Sequence, residues 1–334
     1  MSNRTFYLNA KPEGALTPGH FEMREEADPI PGEGQVLLRN ILLSIDAANR
    51  AWMDAKTYRD QVMPGDAMPT LAIAEVIESK DASLQVGDIV IGESVWTDRY
   101  VASAKFLNKA PDHRPLSQLH SILGIAGLTA HHGLMQVGQP KEGETVVVSA
   151  AAGSVGSLVG QIAKIKGCRA VGIAGNEEKG KWLVDELGFD AFVNYKDDDF
   201  TKQLRAACPG GIDVYFDNVG GPVMEAVLKG MNMFGRVVCC GSVSSYNNTG
   251  PVKPTGLPGI LVVKRLTMRG FIAMDFPDKN AAAVADLVEW AGSGKLNAAE
   301  DIVNGLENAP AALVGLLNGE NRGKRMVRVG PDPV

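Results

Sequence analysis

Residues 145–156 read Thr-Val-Val-Val-Ser-Ala-Ala-Ala-Gly-Ser-Val-Gly, and no other stretch constrains the fold as strongly. β-Branched residues run together, stop at small ones, and are followed by a helix-like segment from Ser157 to Lys166. A short apolar run of this kind predicts a buried parallel strand, then a tight turn, then a helix N-terminus. Such a turn lets a pyrophosphate approach the backbone and rest on N–H groups at the positive end of the helix dipole. The fingerprint G-x-G-x-x-G would fall on Ala151, Gly153 and Gly156, so its first glycine is alanine here. An ordinary strand–helix turn, with glycines that only allow close packing, fits the same residues.

A chain of 334 residues suggests about two domains. Hydrophobic residues make up 45% and charged residues 22%, enough apolar material for a substantial core. The net charge of −6 disfavours wrapping a phosphate backbone, so no nucleic-acid partner is expected. The first residues lack the apolar core of a signal peptide, and no apolar run reaches the ~20 residues of a membrane span. Cys168, Cys208, Cys239 and Cys240 show no framework spacing, and the last two sit as core filler in the strand-like Arg236–Cys240. The expectation is a reduced, cytoplasmic protein without a membrane partner.

Up to residue 122 the chain reads as short strands broken by Pro and Gly turns: Val36–Ile45, Leu71–Glu78 and Asp88–Gly92. That spacing predicts a partly open barrel. From Thr145 strands and helices alternate. Strands are expected at Arg169–Ala174, Ala191–Val193, Asp213–Asp217, Arg236–Cys240 and Leu266–Phe271, and helices at Glu177–Leu187, Phe200–Ala207, Pro222–Met231 and Ala281–Ala291. Alternation implies an α/β fold with a parallel sheet covered on both faces and a ligand beyond the C-terminal strand ends. Ser242–Pro258 is a long loop rich in Ser, Asn, Gly and Pro, and long loops often carry function. The tail ends in Lys-Arg-Met-Val-Arg-Val, an alternating edge strand that returns to the first domain. The domains are then 1–122, 123–295, and a return over 296–334.

Motifs in order along nearly the whole chain carry a resemblance: Leu43-Ser44-Ile45-Asp46, Val86-Gly87-Asp88, Gly127-Leu128-Thr129-Ala130, Val137–Thr145, Asp217-Asn218-Val219-Gly220-Gly221, Ser245-Tyr246-Asn247, Gly270-Phe271 and Gly319–Lys324. With them the chain resembles the medium-chain dehydrogenase/reductase superfamily. Within it, the chain is similar to the zinc-free NADPH-dependent double-bond reductases, a group that includes leukotriene B4 12-hydroxydehydrogenase/prostaglandin reductases, plant alkenal reductases and bacterial curcumin reductase. The resemblance implies a Rossmann doubly wound sheet plus a GroES-like partly open β-barrel, and often a homodimer joined edge to edge, for which Leu266–Phe271 could serve. The zinc members' Cys, His and Glu ligands and four-cysteine site have no counterpart here. His131 and His132 are adjacent in a predicted helix and point about 100° apart, so they do not share a metal easily. No metal site is expected. Without a Lewis acid, reduction of a conjugated C=C bond or of a quinone is the better reading.

The cofactor expected is NADP(H). Ala152, Gly153, Ser154, Val155 and Gly156 form its turn. An NAD-type acidic residue at the end of strand two is replaced by Gly175-Asn176, which leaves room for a 2′-phosphate. Lys179, one helical turn on, could pair with that phosphate or be a solvated lysine. Tyr195 occupies a family position that contacts it. Glu177 and Glu178 argue mildly against, or simply favour the helix dipole. The resemblance also implies that Thr129 meets the carboxamide end of the nicotinamide and that Asn218, Cys240 and Gly241 line it. It implies further that Phe271 and Ile272 back the ring and that Asn321 reaches the phosphates. Phe271 could equally be core packing, and Asn321 a loop residue capping its own backbone.

The expected reaction is hydride transfer to the β-carbon of an α,β-unsaturated aldehyde or ketone, with a hydrogen-bond donor aimed at the carbonyl oxygen. Tyr246 and Tyr58 are the catalytic candidates, though either could be a half-buried aromatic with a wet tip. Many relatives read Asp-Pro-Tyr-Met-Arg where this chain has Asp46-Ala47-Ala48-Asn49-Arg50. Ala48 therefore implies a pocket that is wider or differently polar, and Arg50 either positions substrate or cofactor or pairs with an acid such as Asp46. The alternatives are a quinone oxidoreductase and a relative that binds nucleotide or RNA without turnover.

Overall fold

The computed structural model describes residues 2–247 and 256–332. Sequence spacing places the boundaries at 122 and 295. The chain forms one compact unit from residues up to 120 with 300–320 and 325 onward, and a second from 121–299 with 321–324.

In the first unit the long apolar strand Gln35–Ser44 organises everything. It pairs antiparallel with Pro69–Ser79 along its length, with Arg99–Ser103 over its first half and with Lys324–Arg328 over its second. Ile89–Val95 and the short Asn108–Lys109 continue the seven-stranded sheet. One strand serving neighbours at both ends makes the sheet curl, as a partly open barrel must. A separate ribbon, Ser2–Leu8 with Phe21–Ala27, covers a core in which buried Trp96 meets Phe6 and Phe21.

The tail corrects the sequence reading. Lys324–Arg328 is interior, flanked by Glu300–Asn304 and Gln35–Ser44, and residues 324–327 are all buried. Its basic residues suggest a solvated edge because their partners are invisible in sequence. Arg325 reaches Asp301 at 2.7 and 2.9 Å and the Ala312 carbonyl at 3.3 Å, which lets a buried cation sit inside a sheet.

The second unit is a six-stranded sheet in the order Ala191–Asn194, Arg169–Ala174, Thr145–Val148, Ile212–Asp217, Met231–Cys239, Thr267–Gly270. Every pairing is parallel. Side-chain alternation divides the core into two layers. Val146, Val148, Val214 and Phe216 pack on one face with Leu158 and Ile162, while Val147, Tyr215 and Val237 pack on the other with Leu204 and Val227. That is a doubly wound sheet with helices on both sides. The helix after the turn begins at Ser154, three residues before the sequence suggests, and the fifth strand begins at Met231, not Arg236. Of the loop expected at Ser242–Pro258, residues 248–255 lie outside the described residues. Before them is a short turn, Val243–Ser245, and after them a helix, Leu257–Lys264, with Pro258 in its first turn. Among the described residues no helix is long and apolar enough to cross a membrane.

Candidate cofactor and active site

The turn after Thr145–Val148 is held tightly. Ala150 adopts φ 48°, Ala151 N–H donates to the Ile173 carbonyl (3.0 Å) and Gly153 N–H to the Ala150 carbonyl (2.9 Å). A Cβ on Gly156 would stand 2.4 Å from the Ala150 oxygen, so only glycine fits there. The first intrahelical bond is Ser157 N–H to the Gly153 carbonyl, which leaves the amides of 154–156 without a helical acceptor. Ser154 Oγ is buried and has no hydrogen-bond partner among the described residues. An orphaned hydroxyl beside unpaired amides at a helix N-terminus fits an anionic group such as a pyrophosphate.

The residues expected at the adenosine end come together. A Cβ on Gly175 would lie 3.1 Å from Tyr195 Cε1, 3.4 Å from its hydroxyl and 3.5 Å from Lys196 Cε. Tyr195 is half exposed, with Lys196 Nζ 5.8 Å from its ring centroid. Asn176 caps the following helix by accepting from Lys179 N–H at 2.9 Å. Lys179 is buried rather than a solvated lysine. Lys196 escapes sequence reasoning, although its place directly after Tyr195 is the available signal. Asn321 is buried, and its side-chain amide donates to the Gly323 carbonyl at 2.9 Å, so it does cap its own loop. Gly323 N–H in turn donates to the Ala152 carbonyl (2.8 Å), which lays the 321–324 segment along the phosphate turn.

The ends of strands four and five are organised by Asp217, whose role sequence reasoning missed. Its buried Oδ1 accepts from Tyr215 Oη (2.8 Å), Ser149 Oγ (3.1 Å), Val219 N–H (3.0 Å) and Gly220 N–H (2.8 Å). Burial, and then Asp217, push the Tyr215 hydroxyl well above its ordinary pKa. Asn218 donates to the Ser149 carbonyl at 2.8 Å. Cys240 and Gly241 N–H groups both reach the Asp217 carbonyl (2.8 and 3.2 Å). Burial, then Asp217 and Cys239, push the Cys240 thiol up to about 12, so it stays neutral. Val219 O accepts from Ser244 N–H (3.1 Å) and Oγ (2.6 Å), and this fastens the turn that carries half-buried Tyr246.

Thr129 Oγ1 donates to the Ile125 carbonyl one helical turn back (2.7 Å). The Phe271 ring packs on Phe216 and Phe276 at 6.3 and 6.4 Å, which is the core-packing alternative, and Ile272 follows it half-buried. His131 Nε2 bonds Asp286 (2.9 Å) and His132 Nε2 bonds Asn280 (2.8 Å), with the two rings perpendicular. In the first unit Tyr58 is 54% exposed and sits edge-on to Trp52 at 6.2 Å. Arg50 is 2% exposed and pairs with Asp54 at 2.6 Å, one turn along its own helix. Asp46 belongs to a local turn with Ser44 and Asn49. Ala48 opens that helix and is half-buried.

Residues 4–110 match the family described as the N-terminal domain of oxidoreductase, and residues 154–290 the one described as zinc-binding dehydrogenase. The described residues nevertheless gather no group of three or more His, Cys, Asp or Glu side chains able to hold a metal ion. The chain is 44% identical to an NADPH-dependent curcumin reductase of Escherichia coli over 99% of its own length and 98% of that protein's. It is 40% identical to a 2-alkenal reductase (NADP(+)-dependent) of Nicotiana tabacum, over 89% and 88%. The structure of CurA from Vibrio vulnificus in complex with NADPH superposes with a TM-score of 0.94 at 40% identity, over 98% of this chain and 100% of that one. The chain belongs to the medium-chain dehydrogenase/reductase family.

Proposed function

We propose that this protein is an NADPH-dependent reductase of the C=C bond of α,β-unsaturated aldehydes and ketones. The observation that carries the reading is the tight Ala150–Gly156 turn with its orphaned Ser154 hydroxyl, in a chain that shares 40–44% of its residues with NADP-dependent reductases. The amides of 154–156 and Ser154 Oγ hold the pyrophosphate. Gly175, Lys179 and Tyr195 receive the 2′-phosphate, Asn321 reaches the phosphates, and Thr129, Asn218, Cys240, Gly241, Phe271 and Ile272 frame the nicotinamide half. Bound NADPH supplies a hydride to the β-carbon of the substrate. The π electrons of the C=C bond shift toward the carbonyl, and negative charge collects on its oxygen. The Tyr246 hydroxyl donates a hydrogen bond to that oxygen, Tyr58 lines the substrate, and water supplies the proton that completes the α-carbon. No step calls for a metal. We also place the protein in the cytoplasm as a homodimer without nucleic-acid partners, joined through the exposed edge strand Thr267–Gly270.

NADPH consumption against a panel of 2-alkenals, cyclic enones and quinones, with NADH as control, tests this. Turnover of enals and enones with NADPH is expected. Turnover confined to quinones makes the protein a quinone oxidoreductase, and a saturating titration without NADPH uptake ends the reading.

A further inference from the structure

The second helix of the nucleotide-binding unit carries an apparent contradiction. Glu177 and Glu178 stand in its first turn, beside the Gly175–Tyr195 contact that the 2′-phosphate would occupy. A carboxylate there repels a phosphate that carries close to two negative charges at neutral pH. Lys179, buried in the same turn, Lys181 farther along that helix, and Lys196, against Tyr195, are among the cations of the βαβ unit. A further one comes from far along the chain. Arg322 forms an ion pair with Glu178. Arg322 reaches it because the 321–324 segment is fastened to the phosphate turn by Gly323 N–H and the Ala152 carbonyl and by the parallel Gly153–Gly323 bridge. The pair therefore crosses from the first helix N-terminus to the second, over neighbouring strands that pair directly.

We propose that Arg322 is a cofactor-specificity residue: it cancels Glu178 and adds positive potential at the 2′-phosphate, so preference for NADPH over NADH depends on the C-terminal segment as well as on the βαβ unit. This rests on the NADPH reading above. The pair is open to solvent, with side-chain exposures of 40% for Arg322 and 77% for Glu178. Its own stabilising effect is accordingly small, and its work lies in the charge it presents to a ligand.

Dissociation constants of NADPH and NADH, from quenching of protein fluorescence, test this on the full chain. Arg322→Ala should weaken NADPH about tenfold and NADH less than about twofold, since only NADPH brings the extra phosphate charge. Glu178→Gln in that background should recover most of the loss, and Arg322→Lys should stay near wild type. The NADPH effect should shrink as salt is raised. Equal losses for both coenzymes, or no rescue by Glu178→Gln, would overturn the proposal, because either outcome assigns Arg322 to shape alone. Wild-type protein that binds no NADPH would instead sink the underlying reading. Melting temperatures of the variants exclude a folding defect as the cause.

Discussion

At the scale of single residues, the chemistry turns on one hydroxyl. If Tyr246 is the donor to the developing oxyanion, Tyr246→Phe should lower kcat/KM for an enone by about 10²–10³ while leaving the NADPH dissociation constant nearly unchanged. A fall within about twofold would remove Tyr246 from that role. Gly156→Ala makes a different demand. Its methyl would meet the Ala150 oxygen at 2.4 Å and Ala151 Cα at 2.9 Å, both backbone atoms that cannot swing aside. The variant should lose about 1–3 kcal/mol of stability and bind NADPH more weakly. An unchanged melting point with unchanged affinity would show that the turn relaxes. The glycines of the turn were legible in the sequence, because a glycine between strand and helix has few other uses. Asp217 was not, since a lone acid within Asp-Asn-Val-Gly-Gly looks like a turn residue until four donors converge on it. Arg322 was hidden because its partner Glu178 lies on another element far along the chain.

At the scale of elements, the helices Ile125–His132 and Asn280–Gly292 are joined by His131–Asp286, with the His131 ring stacked on Trp290 at 5.7 Å. Lys166 Nζ lies 5.1 Å from the centroid of the same Trp290 ring. Burial lowers the His131 pKa from 6.5, and the bonds from Asp286 offset only part of that. As pH falls past 6.5, the unfolded chain takes up this proton before the folded one, so native stability declines until the depressed folded pKa is reached. The melting temperature should therefore drop between about pH 7.5 and about pH 5.5, and His131→Gln should drop less over the same window. Parallel slopes in the two proteins would assign the acid sensitivity elsewhere. Most strands and helices of the α/β unit were legible almost to their ends, since β-branched runs and capped helices report on local chain alone; the start of the fifth strand at Met231 and the helix Leu257–Lys264 were not. The final strand was misjudged because its place depends on Asp301 and Ala312, which the local pattern does not contain.

At the scale of the whole molecule, the exposed strand Thr267–Gly270 ends a six-stranded sheet with one side of its backbone unpaired by the sheet's other members. Light scattering should return twice the chain mass of 35.5 kDa, and a monomer at micromolar concentration would contradict the homodimer. The interior position of Lys324–Arg328 has a consequence during synthesis. The strand Gln35–Ser44 leaves the ribosome long before this neighbour has been made. The usual order, in which the N-terminal portion folds first, is then reversed. The coenzyme-binding sheet can close while the leading portion still waits, and a nascent chain halted after residue 299 should resist protease in its middle while its front remains open to cleavage.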